Sequence, residues 1–324
     1  MILICFGTRP EWLKIKPLLN NLYYKLLFTG QHVDLLDEID FDYSIEQEEG
    51  ITHRLDAIVS KCLLNFPRDS ECDSVLVQGD TASAFACALG GFHRKMRVIH
   101  LEAGLRTHNL NHPYPEEGYR QMISRITNIH LCPTELSKEN LIREGCEGDM
   151  HVVGNTVLDN IKSFKDNSYY GDKVLVTLHR RENHYQMGKW FRAVEEVAEA
   201  HPHLEFILPI HPNPEVIKHK KLLKKVTVVS PLDHRDLIKL LCECLLVITD
   251  SGGIQEEASF LNKKSIVCRE VTERSEGIGS GHLIMCASPN ELLNCFESVA
   301  KNPIIDSKCP FGDGNSVDKI LEIL

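Results

Sequence analysis

The sequence has no long apolar run and no excess of basic residues. No stretch of the 324 residues reaches the ~18 consecutive apolar residues that a membrane-spanning helix requires, so we expect no membrane partner. Asp and Glu number 46 against 36 Lys and Arg, a net charge of −10, which argues against non-specific binding of nucleic acid or of an anionic membrane surface. Any anionic ligand would therefore require a local basic pocket.

An export signal and a paired-cysteine motif are also missing. The chain begins directly with the strand-like residues 2–6, without a basic region or a cleavage site. Its 12 cysteines are scattered and form no C-x-x-C pair, and the spacing of Cys242 and Cys244 does not suit a zinc knuckle. We therefore predict reduced, buried thiols, no metal site and a cytoplasmic location.

The chain lacks low-complexity tracts and repeats of about 20–50 residues, which excludes a solenoid or a propeller. Short runs of Val, Ile and Leu alternate instead with longer amphipathic segments, the α/β pattern of parallel strands covered by helices. This pattern predicts strands at 2–6, 74–78, 97–101, 129–132, 150–153, 173–178, 204–210, 226–229, 245–249 and 265–268. It predicts helices at 10–24, 52–63, 81–93, 115–128, 135–145, 155–165, 185–200, 233–243, 252–262, 289–301 and 315–323.

The length and one polar segment indicate two domains. Domains average roughly 100–200 residues, and the polar, Gly-containing segment 165–172 divides the predicted strands into two comparable sets. We place the boundary there, with domains at 1–166 and 167–312, each built on a doubly wound sheet. Ligands of such sheets bind beyond the carboxyl ends of the strands, so the polar residues that follow strands carry the most information about function.

The first predicted strand is followed by Gly7-Thr8-Arg9-Pro10-Glu11, with Lys14 a helical turn beyond Pro10. Gly7 permits a tight turn, Pro10 suits the first helical position, and a helix start beside Arg9 favours an anion. A capped turn with surface charges is the alternative interpretation. No G-x-G-x-x-G follows this strand, so a nicotinamide or flavin cofactor lacks its usual evidence.

Carboxylates follow two further strands of the first half. Asp80 comes after strand 74–78, Glu102 comes after strand 97–101, and Glu116 and Glu117 open the next helix. Each has an ordinary alternative role, as a helix cap or as a favourable charge on a helix dipole. Their convergence on one sheet edge would instead indicate a functional site. Neighbouring carboxylates raise one another's pKa and destabilise the fold, so such a cluster is typical of a site where the carboxylates take part in a reaction.

The second half places basic and small residues after its strands. His179 follows strand 173–178, His211 follows strand 204–210, and Asp250-Ser251-Gly252-Gly253 follows strand 245–249. Each histidine is also compatible with an ordinary polar residue, and Ser-Gly-Gly with a simple turn. Small residues at a helix start let its N–H groups reach a phosphate, and His179 and Arg274 supply counter-charge. The pattern predicts a diphosphate held by the second half and a reacting group held against carboxylates of the first.

Together these residues resemble the non-hydrolysing UDP-N-acetylglucosamine 2-epimerases. The motifs follow the order of that family along the whole chain, which makes the signal specific. They are Gly7-Thr8-Arg9-Pro10-Glu11, Gly79-Asp80-Thr81, Glu102-Ala103-Gly104-Leu105-Arg106-Thr107, Pro115-Glu116-Glu117, Gly154-Asn155-Thr156, His179-Arg180-Arg181-Glu182, Asp250-Ser251-Gly252-Gly253-Ile254-Gln255-Glu256-Glu257, Thr272-Glu273-Arg274 and Gly312-Asp313-Gly314.

The resemblance implies a glycosyltransferase-B type fold, with two Rossmann-like domains around a cleft and a last helix, about 313–324, that packs back on the first domain. It also implies a homodimer and a cofactor-free inversion at C2 of a UDP-sugar, through elimination of UDP, a 2-acetamidoglucal and re-addition of UDP. Departure of UDP from C1 makes the C2 proton removable by a carboxylate. Acid/base groups must then reach both faces of C2 while UDP stays bound.

Position by position, the resemblance assigns roles to three sets of residues. Catalytic roles fall on Asp80, Glu102 and Glu116 as acid/base carboxylates and on His179 beside the leaving diphosphate. UDP-binding roles, with Glu257 on the ribose hydroxyls, fall on Arg9, Lys14, Ser251, Gly252, Gly253, Glu257 and Arg274. Positions that bind a second UDP-N-acetylglucosamine as an activator in some members are matched by Gln31, His32 and His211.

Several positions depart from the family pattern. The family often has Pro-Leu-x-Tyr-x-x-Phe near the uracil, where this chain has His234 and Leu237 in place of the two aromatic residues. Val33 replaces the common Arg after Gln31-His32, Tyr119 replaces Asn, and Ser275 replaces Pro. The changes at Tyr119 and Ser275 leave open an alternative substrate, another UDP-2-acetamido sugar.

Three other functions compete with this interpretation. Hydrolysing relatives, which release N-acetylmannosamine and UDP, usually have Arg after Gly-Asp and a Gly-Gly-Glu pattern, where this chain has Thr81 and Glu102-Ala103-Gly104. A glycosyltransferase would need an acceptor cleft rather than several carboxylates facing one sugar. In a non-catalytic binding protein, carboxylates beside an anionic ligand would only weaken its binding by electrostatic repulsion.

Overall fold

The computed structural model describes residues 1–31, 39–46, 53–68 and 71–324, which divide into two compact units. The first contains Met1–Asn160 and Gly314–Leu324, and the second contains Ile161–Asp313. The segment that the sequence predicts as a linker lies within the second unit, where a 3₁₀ helix covers Lys162–Asn167.

Within the described residues, the first unit has one parallel sheet in the order β3-β2-β1-β4-β5-β6-β7. Its strands are β1 Ile2–Phe6, β2 Tyr24–Phe28, β3 Tyr43–Ser44, β4 Ser74–Gln78, β5 Arg97–Leu101, β6 Ile129–Cys132 and β7 Asp149–Val152. Its helices up to the boundary are α1 Arg9–Ile15, α2 Arg54–Leu64, α3 Ala82–His93, α4 Glu116–Ser124, α5 Glu135–Arg143 and α6 Val157–Ile161. The direction of winding changes between β1 and β4, the place where such sheets bind ligands.

Both faces of this sheet are buried, which explains why its strands are continuous apolar runs. Leu3 and Cys5 of β1 pack in the core that includes α2 and α3, whereas Ile4 and Phe6 pack in the core on the other face with α1. The strand therefore needs no polar face.

The sequence-based prediction of a helix over 10–24 was wrong at its end. Helix α1 stops at Ile15, a 3₁₀ turn covers Lys16–Leu18, and β2 begins at Tyr24. Pro17 cannot donate an N–H group to the helix and clashes with the preceding turn, so the helix ends before it. Strand β2, which follows, and the two-residue strand β3 were also absent from the prediction.

The second unit has a parallel sheet in the order β10-β9-β8-β11-β12-β13. Its strands are β8 Lys173–Thr177, β9 Glu205–Pro209, β10 Thr227–Val229, β11 Cys244–Thr249, β12 Ser265–Val267 and β13 Leu283–Met285. Its helices are α7 Met187–Ala200, α8 Pro214–Ile217, α9 His234–Cys242, α10 Gly252–Phe260, α11 Ser275–Gly279 and α12 Leu292–Lys301. The sequence did not predict β13, α8 or α11, each of which is only three to five residues long.

The last helix, α13 (Ser316–Leu321), belongs to the first unit. Ile320 is buried in the same core as Ile4. The Asp159 carboxylate accepts hydrogen bonds from the backbone N–H groups of Ser316, at 3.2 Å, and Val317, at 2.9 Å. These bonds cap the helix N-terminus and fix its start against α6.

Across the described ranges, no helix is long and apolar enough to cross a membrane. All 12 cysteines, each of which lies in the described part of the chain, are free thiols, and most are buried.

Candidate active site

The turns that follow β4 and β5 carry Asp80 and Glu102 at one edge of the first sheet. The two strands are parallel neighbours, so both side chains lie at the carboxyl ends. Glu102 has a left-handed backbone, with φ of +69°. A Cβ atom added to Gly79 would lie 3.4 Å from Glu102 Oε2, so the turn that carries Asp80 contacts the Glu102 carboxylate.

Glu102 receives hydrogen bonds from three different segments. Lys14 Nζ donates to Oε1 at 2.6 Å, Asn155 Nδ2 donates to Oε1 at 3.3 Å, and Gln78 Nε2 donates to Oε2. The Lys14 and Glu102 side chains are only 12% and 9% exposed. The structure thus pairs a predicted UDP ligand with a predicted acid/base group. Asn155 stands within a sequence motif and Gln78 directly precedes one, but nothing in their spacing assigned them this contact.

Asp80 has a cationic partner that the sequence analysis missed. Arg120 Nη2 of α4 lies 2.6 Å from Asp80 Oδ2, and Arg120 Nη1 lies 3.3 Å from Glu117 Oε2. The Asp80 side chain remains 24% exposed, more than that of Glu102. Asp80 is therefore the more accessible of the two carboxylates.

The structure separates the roles of the adjacent Glu116 and Glu117. Glu117 is fully buried and accepts hydrogen bonds from the N–H groups of Thr107, at 3.0 Å, and His108, at 3.1 Å. Burial alone would raise the pKa of Glu117, but the hydrogen bonds from Thr107 N and Gln121 Nε2 and the charge of Arg120 outweigh burial and lower it. Glu117 thus holds a loop, while Glu116, half-buried at the first position of α4, stays the candidate acid/base group.

The turn after β1 is held by Glu11, to which the sequence analysis assigned no role. Its carboxylate accepts hydrogen bonds from Gly7 N at 2.9 Å, Thr8 N at 2.7 Å and Thr81 Oγ1 at 2.6 Å. Burial raises the pKa of Glu11, although these hydrogen bonds oppose the effect. Arg9 directly follows this turn as the first residue of α1, and it is half-buried.

Of the predicted activator residues in the first unit, Gln31 follows β2 and accepts a hydrogen bond from Ser83 Oγ at 2.7 Å. His32, like the departure at Val33, lies outside the described residues.

The Tyr119 departure concerns packing. Its ring stacks on Phe85 of α3, with 5.2 Å between ring centroids and 18° between planes, at the edge of the core under α3. Ser275 simply begins α11 after Arg274. The alternative substrate that these departures leave open stays a prediction.

In the second unit, Asp250 organises the segment that carries His179. The Asp250 side chain is fully buried at the point where the winding of the sheet changes direction. Its Oδ2 accepts hydrogen bonds from His179 N at 3.0 Å, Arg180 N at 2.9 Å and Asn183 Nδ2 at 3.0 Å. His179 Nδ1 lies 3.6 Å from Oδ1. The carboxylate fixes both the backbone and the surroundings of the His179 ring.

The rings of His179 and His211, predicted for two different sites, stack on each other. Their centroids are 5.1 Å apart and their planes differ by 10°. Burial lowers the pKa of His179, with the negative charge of Asp250 opposing, and burial also lowers the pKa of His211. Neutral imidazoles are therefore favoured at this position, with N–H groups available as hydrogen-bond donors.

Replacing Asp250 by asparagine is expected to destabilise the protein. The amide can offer one acceptor oxygen, but its NH₂ group would face N–H donors, so we expect the free energy of unfolding to fall by about 1–3 kcal/mol. Urea unfolding would measure the change, with Asp306→Asn, at an exposed position, as the matched control. Equal stability of the two variants would contradict the role of Asp250.

The start of α10 brings Ser251, Gly252 and Gly253 next to Arg274. Ser251 is the N-cap, and its N–H donates to Thr249 Oγ1 at 2.9 Å. A Cβ atom on Gly252 would lie 2.6 Å from Arg274 Nη1, so only glycine fits against the guanidinium. Free N–H groups at the start of a helix and a neighbouring guanidinium form an anion-binding arrangement.

A chain of buried ion pairs fixes Arg274. Arg274 Nε donates to Glu256 Oε1 at 2.8 Å, and Nη1 pairs with Glu273 Oε1. Glu273 Oε2 pairs in turn with Arg269 Nη1 at 3.1 Å, and Arg269 Nε with Glu182 Oε1 at 2.6 Å. These carboxylates belong to the recognised motifs, but their pairing depends on the fold of β12 and α10.

Glu257, the predicted ribose ligand, is buried one turn into α10 and contacts His234 of α9. His234 Nε2 lies 2.7 Å from Glu257 Oε1. In the described ranges, no group of three or more His, Cys, Asp or Glu side chains is arranged to hold a metal ion.

Comparison with known proteins identifies the same family as the motifs. Residues 19–324 match the family model for UDP-N-acetylglucosamine 2-epimerase. The chain is 36% identical to the UDP-N-acetylglucosamine 2-epimerase of Campylobacter jejuni, over 100% of this chain and 97% of that protein. It is 33% identical to the enzyme of the same name from Neisseria meningitidis, over 100% of this chain and 98% of that protein.

Solved structures of UDP-GlcNAc 2-epimerases superimpose on this chain, in agreement with the sequence comparison. The UDP-GlcNAc 2-epimerase of Neisseria meningitidis bound to UDP-GlcNAc superimposes with a TM-score of 0.89 at 32% identity, covering 99% of this chain and 98% of that chain. The Methanocaldococcus jannaschii enzyme in complex with UDP-GlcNAc and UDP gives 0.83 at 30% identity, with the same coverage. Acinetobacter baumannii MurG, at 10% identity and a TM-score of 0.64 over 99% and 98% of the two chains, shares the fold alone.

The predicted fold class is thus confirmed: the chain has two α/β units on parallel sheets, as in the glycosyltransferase-B type fold. The ordered motifs, the match to the family model and the full-length relatives show that the chain belongs to the UDP-N-acetylglucosamine 2-epimerase family.

Proposed function

We propose that the protein inverts C2 of a UDP-2-acetamido sugar reversibly, converting UDP-N-acetylglucosamine to UDP-N-acetylmannosamine without hydrolysis. The observation that carries this proposal is the carboxylate edge of the first sheet, where Asp80 and Glu102 lie on adjoining turns with Arg120 and Lys14 as cationic partners. Membership of the family, and relatives solved with UDP-GlcNAc and UDP, support a UDP-sugar as the substrate.

The reaction has two halves. First, the bond between C1 and the UDP oxygen breaks, UDP leaves with the electron pair, and a carboxylate removes the C2 proton. The electrons of the C2–H bond become the C1–C2 double bond of a 2-acetamidoglucal. In the second half, a carboxylic acid gives a proton to the opposite face of C2, and a UDP oxygen bonds to C1. The balance requires no oxidant or reductant.

In this proposal, the acid/base groups are Asp80, Glu102 and Glu116. A proton must be taken from one face of C2 and returned on the other, so at least two groups are needed. Asp80 is the favoured exchanging group because it is the more exposed carboxylate, while Glu102, with its three donors, is held in a fixed orientation.

The second unit is proposed to bind UDP. The N–H groups at the start of α10 and Arg274 receive the diphosphate, and His179 donates to it as the negative charge develops. Glu257 accepts hydrogen bonds from the ribose hydroxyls, as acidic residues do in related nucleotide-binding sheets. Arg9 and Lys14 are proposed to contact UDP as well. The activator role of Gln31, His32 and His211, and the homodimer, stay predictions.

Incubation with UDP-N-acetylglucosamine in deuterium oxide, without nicotinamide, tests the proposal. We expect the proton spectrum to lose the H2 signal while two UDP-linked epimers form, because the C2 proton exchanges with solvent through the acid/base groups. The heat-denatured protein is the control. Free N-acetylmannosamine with UDP would establish hydrolysis instead, and an unchanged substrate with C2 protium would contradict the proposed reaction.

A further inference from the structure

His234 and Glu257 form a partly buried pair between two helices of the second unit. His234 is the first residue of α9, and its Nε2 lies 2.7 Å from Glu257 Oε1 of α10. The Glu257 side chain is 4% exposed and that of His234 is 23% exposed. A carboxylate accepts hydrogen bonds only, so Nε2 is the donor. The contact fixes one oxygen of Glu257 and with it the plane of the carboxylate.

The pair also balances charge. Burial alone would lower the pKa of His234, but the hydrogen bond and negative charge of Glu257, with a contribution from Asp233, outweigh burial and raise it. The raised pKa keeps His234 an imidazolium to a higher pH than an ordinary histidine. A protonated His234 compensates the negative charge that the Glu257 carboxylate would present to an anionic ligand.

Both effects bear on nucleotide binding. A buried carboxylate that is to accept hydrogen bonds from a ribose needs a fixed orientation, because each freely rotating side chain loses conformational entropy on binding. The same carboxylate repels a nearby diphosphate unless its charge is compensated. One neighbouring side chain, His234, meets both requirements at the position where the resembled family often carries tyrosine, a neutral donor.

We propose that His234 is a positioning residue for UDP, which orients Glu257 toward the ribose hydroxyls and compensates its charge. This inference rests on the proposed function, in which Glu257 binds the ribose. His234 contacts Glu257, and we assign it no contact with the sugar or the diphosphate.

Two substitutions at position 234 separate orientation from charge. We expect His234→Phe to weaken UDP binding by about 10-fold, the effect of a lost hydrogen bond to a charged group. His234→Gln, which keeps a neutral donor, should recover part of that affinity. Isothermal titration with UDP gives the dissociation constants, and His203→Phe, at an exposed histidine of the same unit, is the matched control.

Deoxy analogues of UDP distinguish a positioning role from a merely structural one, because only the positioning role depends on the ribose hydroxyls. With 2′-deoxy-UDP and 3′-deoxy-UDP, one partner of Glu257 is missing, so the loss caused by His234→Phe should shrink for at least one of them. Glu257→Gln should show the same pattern, and the double variant should bind UDP no more weakly than Glu257→Gln alone. Thermal unfolding of each variant establishes that it is folded before titration.

The outcomes distinguish this inference from the proposed function. If the unmodified protein does not bind UDP, the assigned UDP site is overturned and the inference with it. If Glu257→Gln binds UDP normally, Glu257 is not the ribose ligand, and the inference is overturned with that assignment. If Glu257→Gln weakens binding but folded His234→Phe and His234→Gln both bind UDP normally, only the inference is overturned. Equal losses for UDP and both deoxy forms would likewise overturn it, since His234 would then act on the fold alone.

Discussion

Turnover of the Asp80→Asn variant is expected to fall by ~10²–10⁴-fold, the usual loss when an acid/base group is removed. Asparagine has nearly the shape of aspartate, and its oxygen can still accept the hydrogen bond from Arg120, which lies 2.6 Å from Asp80 Oδ2. It cannot exchange a proton with C2 of the sugar. The variant should therefore keep its fold but lose proton transfer at C2.

Affinity for UDP separates a catalytic role from a binding role. Because Asp80 is proposed to act on the sugar, the dissociation constant of UDP should stay within about twofold of that of the unmodified protein, while kcat falls. Asp149→Asn, at an exposed position at the start of β7, is the control for an Asp-to-Asn change in the same unit. Unchanged turnover would exclude Asp80 as an acid/base group, and a parallel loss of UDP binding would make it a ligand-binding residue.

The Gly252→Ala variant is expected to lose UDP affinity through Arg274. The added Cβ would lie 2.6 Å from Nη1 and 2.9 Å from Cζ of Arg274, too close for either atom to stay in place. The guanidinium cannot yield cheaply, because Glu256 and Glu273 hold it and it is almost fully buried. A displaced guanidinium would lose the charge-assisted hydrogen bonds proposed for it with the diphosphate, worth about 1.5–3 kcal/mol, or about 10- to 100-fold in affinity.

Titration with UDP measures this effect, and Gly279→Ala provides the comparison. Gly279 ends α11 in the same unit, and in the described structure a Cβ there would meet no atom within 4 Å. We expect Gly279→Ala to bind UDP like the unmodified protein. If Gly252→Ala also does so, neither the start of α10 nor Arg274 receives the diphosphate.

The sequence predicted the position of a site residue correctly where that residue directly follows an apolar strand. Asp80 and Glu102 could be assigned to one sheet edge because each stands immediately after a strongly apolar strand, and parallel strands end together. The same argument predicted the positions of His179 and of the Ser251-Gly252-Gly253 turn in the second sheet. Local pattern and strand order are sufficient for these placements.

Contacts between distant segments were not predictable in this way. Lys14 and Glu102 are 88 residues apart, and only the fold brings the ammonium to the carboxylate. The partners of Arg120 and His234 likewise depend on how α4 and α9 pack, which periodicity does not reveal. The helix predicted over 10–24 failed because Leu18, Leu19 and Leu22 continue the amphipathic pattern past Pro17, the residue that ends the helix.

The capping of α13 by Asp159 has a consequence for how the protein is made. The ribosome synthesises all of Ile161–Asp313 before it reaches Ser316, so the residues that complete the second core are available before Ile320 can join the first. Until then, part of the apolar face around Ile4 in the nascent first unit is uncovered. The Asp159 carboxylate also lacks the hydrogen bonds that it later accepts from Ser316 N and Val317 N. The unit translated first is thus the unit completed last.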